Sequence, residues 1–343
     1  MRTAMLYGAG DLRLVEIEKP VPGEGEVLVQ VKAVGICASD IHYFRDGRIG
    51  DVVVSEPIIL GHEFAGVIAE VGQGVSNVKP GDKVAVEPAI ACRKCDLCLN
   101  GDYNICRNIL FCGTPPTQGA LREFLTWPAH LVYKVPDSMD YAEAAMLEPI
   151  AIGVYAVDLA EPIQGKTVGI LGAGGIGISI MQAARAAGCS DIYVTDLISE
   201  RLEIAKKLGA TRTFKADEPD LVKQIISATG GRGLDIVFEA AGENEAVQQA
   251  TEIVRPGGLV LVGGIPREDN MTLTASVVRR KGLTIKLIRR SNNTLERSIN
   301  LVRDGKINAI SMVTHRFPLE RVVEAIELAR DRRDGVLRAV IEL

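Results

Sequence analysis

A chain of 343 residues that is 47% hydrophobic and 24% charged has the composition of a globular protein of about two domains. Its net charge of -5 is spread over interspersed signs, with no basic arm or long Lys/Arg run, which argues against a nucleic-acid partner. No apolar run approaches ~18 residues, and the N-terminal "MRTAMLYGAGDLRL" lacks the apolar core of a signal peptide. The expectation is therefore a cytoplasmic protein with no membrane partner, its thiols kept reduced. Seven cysteines, an odd number, also sit badly with a fully paired disulfide framework.

From the N-terminus to about residue 149 the chain offers short β-like runs, among them "EVLVQVKAVG", "FAGVIAEVG" and "GDKVAVEP". Turn signals at Pro22-Gly23 and Pro80-Gly81 punctuate them, predicting a compact, mostly antiparallel β domain. Within it, "ACRKCDLCLNGDYNIC" spaces Cys92, Cys95, Cys98 and Cys106 as C-x2-C-x2-C-x7-C. Two-residue gaps let neighbouring thiolates converge on one tetrahedral ion at ~2.3 Å, whereas disulfides across such gaps would be strained. Four sulfur ligands leave no position for substrate, so this zinc is structural.

Near residue 150 the rhythm changes to strands alternating with helices: "KTVGILGA", "GIGISIMQAARAAG", "DIYVTD", "SERLEIAKKLG", "LDIVFEAAG" and "GLVLVGG". That alternation predicts a doubly wound parallel sheet. "GAGGIG" places Gly172, Gly174 and Gly177 between a strand and a helix, the setting a dinucleotide turn requires. Gly172 permits the tight turn, Gly174 lets backbone approach a pyrophosphate, and Gly177 lets helix and strand pack closely. The N–H groups around Gly175 and Ile176 then face the phosphates. The next strand ends in Asp196, 22 residues after Gly174, where a carboxylate accepts from both ribose hydroxyls and repels a 2′-phosphate. NAD is therefore expected rather than NADP, with Arg201 packing near the adenosine. Beyond residue 290, "TLERSINLVRDGKI" and "PLERVVEAIELARDRR" read as amphipathic helices, followed by a strand at "LRAVIEL".

The first domain holds two further clusters, "GICASDIHYFRDGRIGD" and "GHEFAG", and "LEPIAIGVYA" begins at Leu147. Cys37, His62 and a glutamate make a three-ligand set with an open fourth position, the construction of a catalytic zinc. On these motifs the chain is identified as a member of the medium-chain, zinc-dependent alcohol dehydrogenase superfamily, over essentially its whole length. "HYFRDGRIGD", "FCGTPPTQGALREF", "LEPIAIGVYA" and "VTHRFPLE" resemble the sorbitol (L-iditol) and xylitol dehydrogenase branch most.

The resemblance implies an α/β protein in two parts. A GroES-like catalytic domain with two zinc sites spans 1–149 and 293–343, and a Rossmann NAD-binding domain spans 150–292. It implies Cys37, His62 and Glu63 around the catalytic zinc with Glu148 close by, one glutamate ligating the metal and the other holding its water. Glu63 ranks ahead as the direct ligand. Simple-alcohol dehydrogenases generally carry cysteine where Glu148 stands, and an oxygen-rich site suits polyol and amino-alcohol relatives. The implied chemistry is metal-assisted hydride transfer to NAD, with Ser39 and His42 relaying the proton and Glu148 offering another path. The resemblance nominates Tyr43, Phe111, Thr114, Glu148 and Arg290 for substrate, and Gly263, Gly264, Ile265, Ile288 and Arg289 for the cofactor. Ser291 stands where the branch usually has tyrosine, which reshapes the pocket.

The expected function is oxidation of a polyol's secondary alcohol to a ketose. L-threonine 3-dehydrogenase or 2,3-diol dehydrogenase is the first alternative, and a catalytically idle cofactor-binding protein the second. Relatives suggest a homotetramer or homodimer, often associating through the edge of the cofactor domain.

Overall fold

The computed structural model describes residues 1–266 and 270–343. The chain forms two compact units: Met1–Glu148 with Leu295–Arg303 and Ala309–Leu343, and Pro149–Thr294 with Asp304–Asn308.

The first unit is built on a seven-stranded sheet. Its central strand, Glu26–Gly35, is the predicted "EVLVQVKAVG" run, with Val27, Leu28, Val29, Val31, Ala33 and Val34 all buried. The Glu63–Val71 strand pairs antiparallel along one side of it, and the C-terminal Arg338–Glu342 strand along the other. Phe124–Pro128 also pairs with it, and the remaining ladders are antiparallel apart from the parallel contact of Val313–Pro318 with Arg338–Glu342. The last strand of the chain thus lies directly beside the first long one. A core that includes Leu6, Phe64, Ile68, Leu121, Leu125, Val322 and Ile326 fills this unit.

The second unit carries a six-stranded, wholly parallel sheet in the order Arg212–Lys215, Asp191–Asp196, Thr167–Leu171, Leu234–Glu239, Val254–Val262, Thr284–Leu287. Leu234–Glu239 is buried at every position, as a central parallel strand must be. Strand order reverses between Thr167–Leu171 and Leu234–Glu239, and ligands of such sheets bind at the carboxyl ends beside that reversal. At the opposite ends of these two strands Asp235 accepts from the Thr167 N–H and hydroxyl, both at 3.0 Å, and pairs with Arg232 and Arg255.

The helix Leu147–Ala160 starts in the first unit and continues in the second. Pro149 sits in its first turn, where a missing N–H costs no intrahelical bond. The sequence offered this segment as a chemical cluster, and its helical form was not apparent from the pattern.

Candidate active site

The central strand pair of the first unit assembles the site. Gly35, at the end of Glu26–Gly35, is paired with Glu63, the first residue of Glu63–Val71. Cys37 follows Gly35 by two positions and His62 precedes Glu63, so one cross-strand pairing brings all three candidate ligands to one place. Gly35 is required there, because a Cβ would stand 2.4 Å from Glu63 Oε2. One ligand atom from each of Cys37, His62 and Glu63 lies within 4.8 Å of the others.

Asp40, which sequence reasoning missed, locks this arrangement. Cys37 is the N-cap of the helix Ala38–Asp46, and Asp40 at its third position accepts from the Cys37 N–H at 2.9 Å. The second Asp40 oxygen accepts from Gly61 N–H at 3.0 Å. One fully buried carboxylate therefore fastens the Cys37 turn to the residue before His62, and its Oδ1 lies 3.9 Å from His62 Nδ1. Ser39, in the first turn after this cap, favours the charged form of the Cys37 sulfur.

Arg338 was missed as well. Only 7% exposed, it enters from the neighbouring C-terminal strand, with Nη1 donating to Ile36 O at 3.2 Å and Nη2 2.8 Å from Glu63 Oε1. That last contact has the length of an ion pair without hydrogen-bond alignment. Both Glu63 oxygens and Glu148 Oε2 are buried with no hydrogen-bond partner among the described residues. Glu148, in the first turn of Leu147–Ala160, is 4% exposed. Burial, then the charges of Glu63 and Cys37, push its carboxyl well above the usual range, while His62 opposes them. The Cys37 thiol is pushed up to about 12 by burial and then by Glu63.

Buried acids with orphaned oxygens beside a thiol are costly without a cation and stabilised by one, so the donor set fits zinc. Cys37, His62 and Glu63 form the close grouping, and Glu148 lies outside it while remaining in their electrostatic field.

An aspartate-to-asparagine change at 40 keeps shape but leaves one oxygen for two N–H donors. Asp40→Asn is expected to weaken zinc retention about 10- to 100-fold, the usual effect of losing an outer-sphere orienting group. Competition with a chelator of known affinity measures this; undiminished retention would remove Asp40 from the site.

The remaining nominated residues of this unit are placed as follows. Phe111 stands beside His62, ring centroids 5.1 Å apart, and Tyr43 is buried at 3% exposure. Thr114 makes a backbone bridge to Thr117. His42 Nδ1 lies 3.1 Å from Arg45 Nη2 and 3.6 Å from Asp46 Oδ2, both on its own helix.

The four remaining ligand candidates converge in the Cys92–Cys106 loop, their sulfurs mutually within 4.8 Å. The pairs Cys92–Cys98 and Cys95–Cys106 are 4.0 and 3.9 Å apart. A tetrahedral ion with bonds of ~2.3 Å spaces its sulfurs about 3.8 Å apart, so zinc fits with almost no adjustment. Backbone N–H bonds from Lys94 and Cys95 bring Cys92 down to about 6, and similar bonds from Cys98 and Arg107 lower Cys95. Burial pushes Cys98 the other way, to about 12.

In the second unit, Gly172 has φ +96° and Gly177 approaches it so closely that a Cβ would fall 1.8 Å from Gly172 O. At Gly174, the N-cap of Gly175–Ala186, an added Cβ would meet only Arg201 Nη1 at 4.0 Å. That cradle leaves room for a pyrophosphate, and the turn Gly175–Ile176–Gly177 precedes the first intrahelical bond, Ile178 N to Gly174 O. Arg201 thus reaches toward the phosphate turn. Asp196 accepts from Ala173 N–H at 2.7 Å and Ile198 N–H at 2.8 Å, which fixes its carboxylate at the strand end. Gly263, Gly264 and Ile265 follow the Val254–Val262 strand, with Ile265 39% exposed. Ile288 N–H bonds Val262 O at 2.8 Å, and Ile288 Cδ1 lies 3.1 Å from where a Gly263 Cβ would be. Arg289 and Arg290 come next, Arg290 in a left-handed conformation at φ +54°, and Ser291 is buried.

Residues 23–137 match the alcohol dehydrogenase GroES-like domain family, and residues 175–304 the zinc-binding dehydrogenase family. The chain is 37% identical to the sorbitol dehydrogenase of Bacillus subtilis (strain 168), over 99% of this chain and 97% of that one. Identity to the Rattus norvegicus sorbitol dehydrogenase is 39%, covering 95% and 92%. An alcohol dehydrogenase from E. coli CFT073, solved in complex with NADH, superposes with a TM-score of 0.91 at 29% identity, covering 100% and 99%.

Proposed function

The chain belongs to the zinc-binding dehydrogenases, in their sorbitol dehydrogenase-like branch, and from that premise we propose how its residues divide the work of a zinc- and NAD(P)-dependent polyol dehydrogenase. The observation that carries this reading is the convergence of Cys37, His62 and Glu63 at one strand pairing, with orphaned acid oxygens around them. Bound zinc supplies a Lewis acid for the substrate hydroxyl, and the dinucleotide supplies the hydride acceptor.

Cys37, His62 and Glu63 hold the ion, and Cys92, Cys95, Cys98 and Cys106 hold a second, structural one. Asp40 keeps the Cys37 and Gly61 turns together, and Arg338 balances the negative charge that Glu63, Glu148 and Asp40 place in a buried pocket. Ser39 passes the substrate's proton toward His42, and Glu148 orients water. Tyr43, Phe111, Thr114 and Arg290 contact the polyol. Gly172, Gly174 and Gly177 seat the pyrophosphate, and Asp196 takes the adenosine ribose, which favours NAD over NADP.

A cytoplasmic homotetramer or homodimer completes the proposal. What supports oligomerisation is the outer strand Thr284–Leu287, which closes the parallel sheet on one side and leaves Leu287 66% exposed.

Initial rates with xylitol, sorbitol, L-threonine, 2,3-butanediol and ethanol, with NAD and with NADP, test this function. The expected outcome is turnover of a polyol with NAD. Turnover of threonine or butanediol alone would contradict the polyol assignment and point to Ser291 as the altered wall. A second expected outcome concerns Asp196→Ala, which should shift preference toward NADP by at least about tenfold in kcat/KM, since like-charge repulsion of the 2′-phosphate is removed. An unchanged ratio would contradict the assigned role of Asp196.

A further inference from the structure

One buried acid of the second unit has no part in the chemistry above. Glu239 ends the Leu234–Glu239 strand at the carboxyl edge of the sheet, beside the point where strand order reverses, and is completely buried. Oε1 accepts from the Ala241 and Gly242 N–H groups, both at 2.7 Å, and Oε2 from Gly264 N–H at 3.2 Å. The Glu239 carbonyl accepts from Gly263 N–H at 2.8 Å and Gly264 N–H at 3.2 Å.

One residue thus ties together two loops that are distant in sequence, the one following its own strand and the one following Val254–Val262. Those loops touch without room for a side chain between them: a Cβ on Gly264 would lie 2.2 Å from Gly242 N, and one on Gly242 would lie 2.6 Å from Ile265 O. Ala241 in turn abuts the phosphate turn, its N 2.8 Å from where a Gly172 Cβ would stand. A buried carboxylate is expensive unless donors are aimed at it, and here backbone N–H groups serve that purpose.

In a doubly wound sheet the first three strands serve one mononucleotide half and the last three serve the other. Glu239 stands on the first strand of the second half, against the loops that follow that half's first two strands. We propose that Glu239 is a positioning residue for the nicotinamide half of the dinucleotide site, setting the spacing of the 240–243 and 263–265 loops. This rests on the dinucleotide reading given above.

The test compares NADH, which occupies both halves, with ADP, which occupies the adenosine half. NADH is followed by its fluorescence and ADP by calorimetry, on wild-type protein, Glu239→Ala and Glu239→Gln. Glu239→Ala is expected to weaken NADH binding at least about tenfold while ADP binding stays within about twofold, because only the second half loses its clamp. Glu239→Gln keeps one acceptor oxygen and should fall between, and it carries the test if the alanine variant does not fold. Unchanged NADH binding in Glu239→Gln, or equal weakening of NADH and ADP, would overturn the proposal. Wild-type protein that bound neither nucleotide would overturn the dinucleotide reading itself, and this proposal with it.

Discussion

His62→Ala is expected to lower kcat/KM for polyol oxidation by at least about a thousandfold, to lose one of two bound zinc ions, and to leave NADH binding intact. The imidazole supplies one of three grouped ligand atoms, and among the described residues no other histidine joins that group. Lewis-acid assistance is worth several kcal/mol, and each 1.36 kcal/mol is about tenfold in rate, so losing the ion forfeits about three decades or more. Metal analysis, NADH titration and rates on one preparation separate these effects. A variant that kept both ions, or more than about a tenth of wild-type activity, would remove His62 from the metal site.

Cys98→Ser should do the opposite. Its sulfur is buried in the four-cysteine loop, away from the Cys37 grouping. Structural zinc in small domains contributes about 10–16 kcal/mol of apparent binding energy, which is folding energy wherever the site exists only in the folded state. Losing a third to a half of that, about 5 kcal/mol, would lower the melting temperature of a unit this size by roughly 10–20 °C. Zinc content should fall by one ion, while activity measured well below the transition survives in part. Should Cys98→Ser melt like wild type with both ions retained, the cysteine loop would not be a structural zinc site.

These two sites differ in how much of them a sequence displays. The cysteine loop and the glycine turn are local: their spacing alone dictates what can converge, and the structure forms both where the spacing puts them. Strand periodicity announced the parallel sheet in the same way, since fully buried strands read as continuous apolar runs. Through-space partners left no such trace. Arg338 reaches Ile36 across 302 positions, and nothing in "LRAVIEL" hints that its arginine is buried beside an acid. Asp40 sits in a stretch already crowded with candidates, and only the bond to Gly61 reveals that it joins two turns. Glu239 reads as the polar end of an apolar strand until its three N–H donors are seen. The grouping of Glu63 with Cys37 and His62 depends on the pairing of Gly35 with Glu63, which no single-strand pattern reveals.

The most direct measurement follows NADH formation from a polyol as zinc is withdrawn by dialysis against a chelator and then restored, with metal content determined at each step. Turnover should vanish as zinc is lost, while the protein still binds NADH, and should return in proportion to zinc rebound. Undiminished turnover in zinc-free protein would contradict a zinc-dependent polyol dehydrogenase at its root.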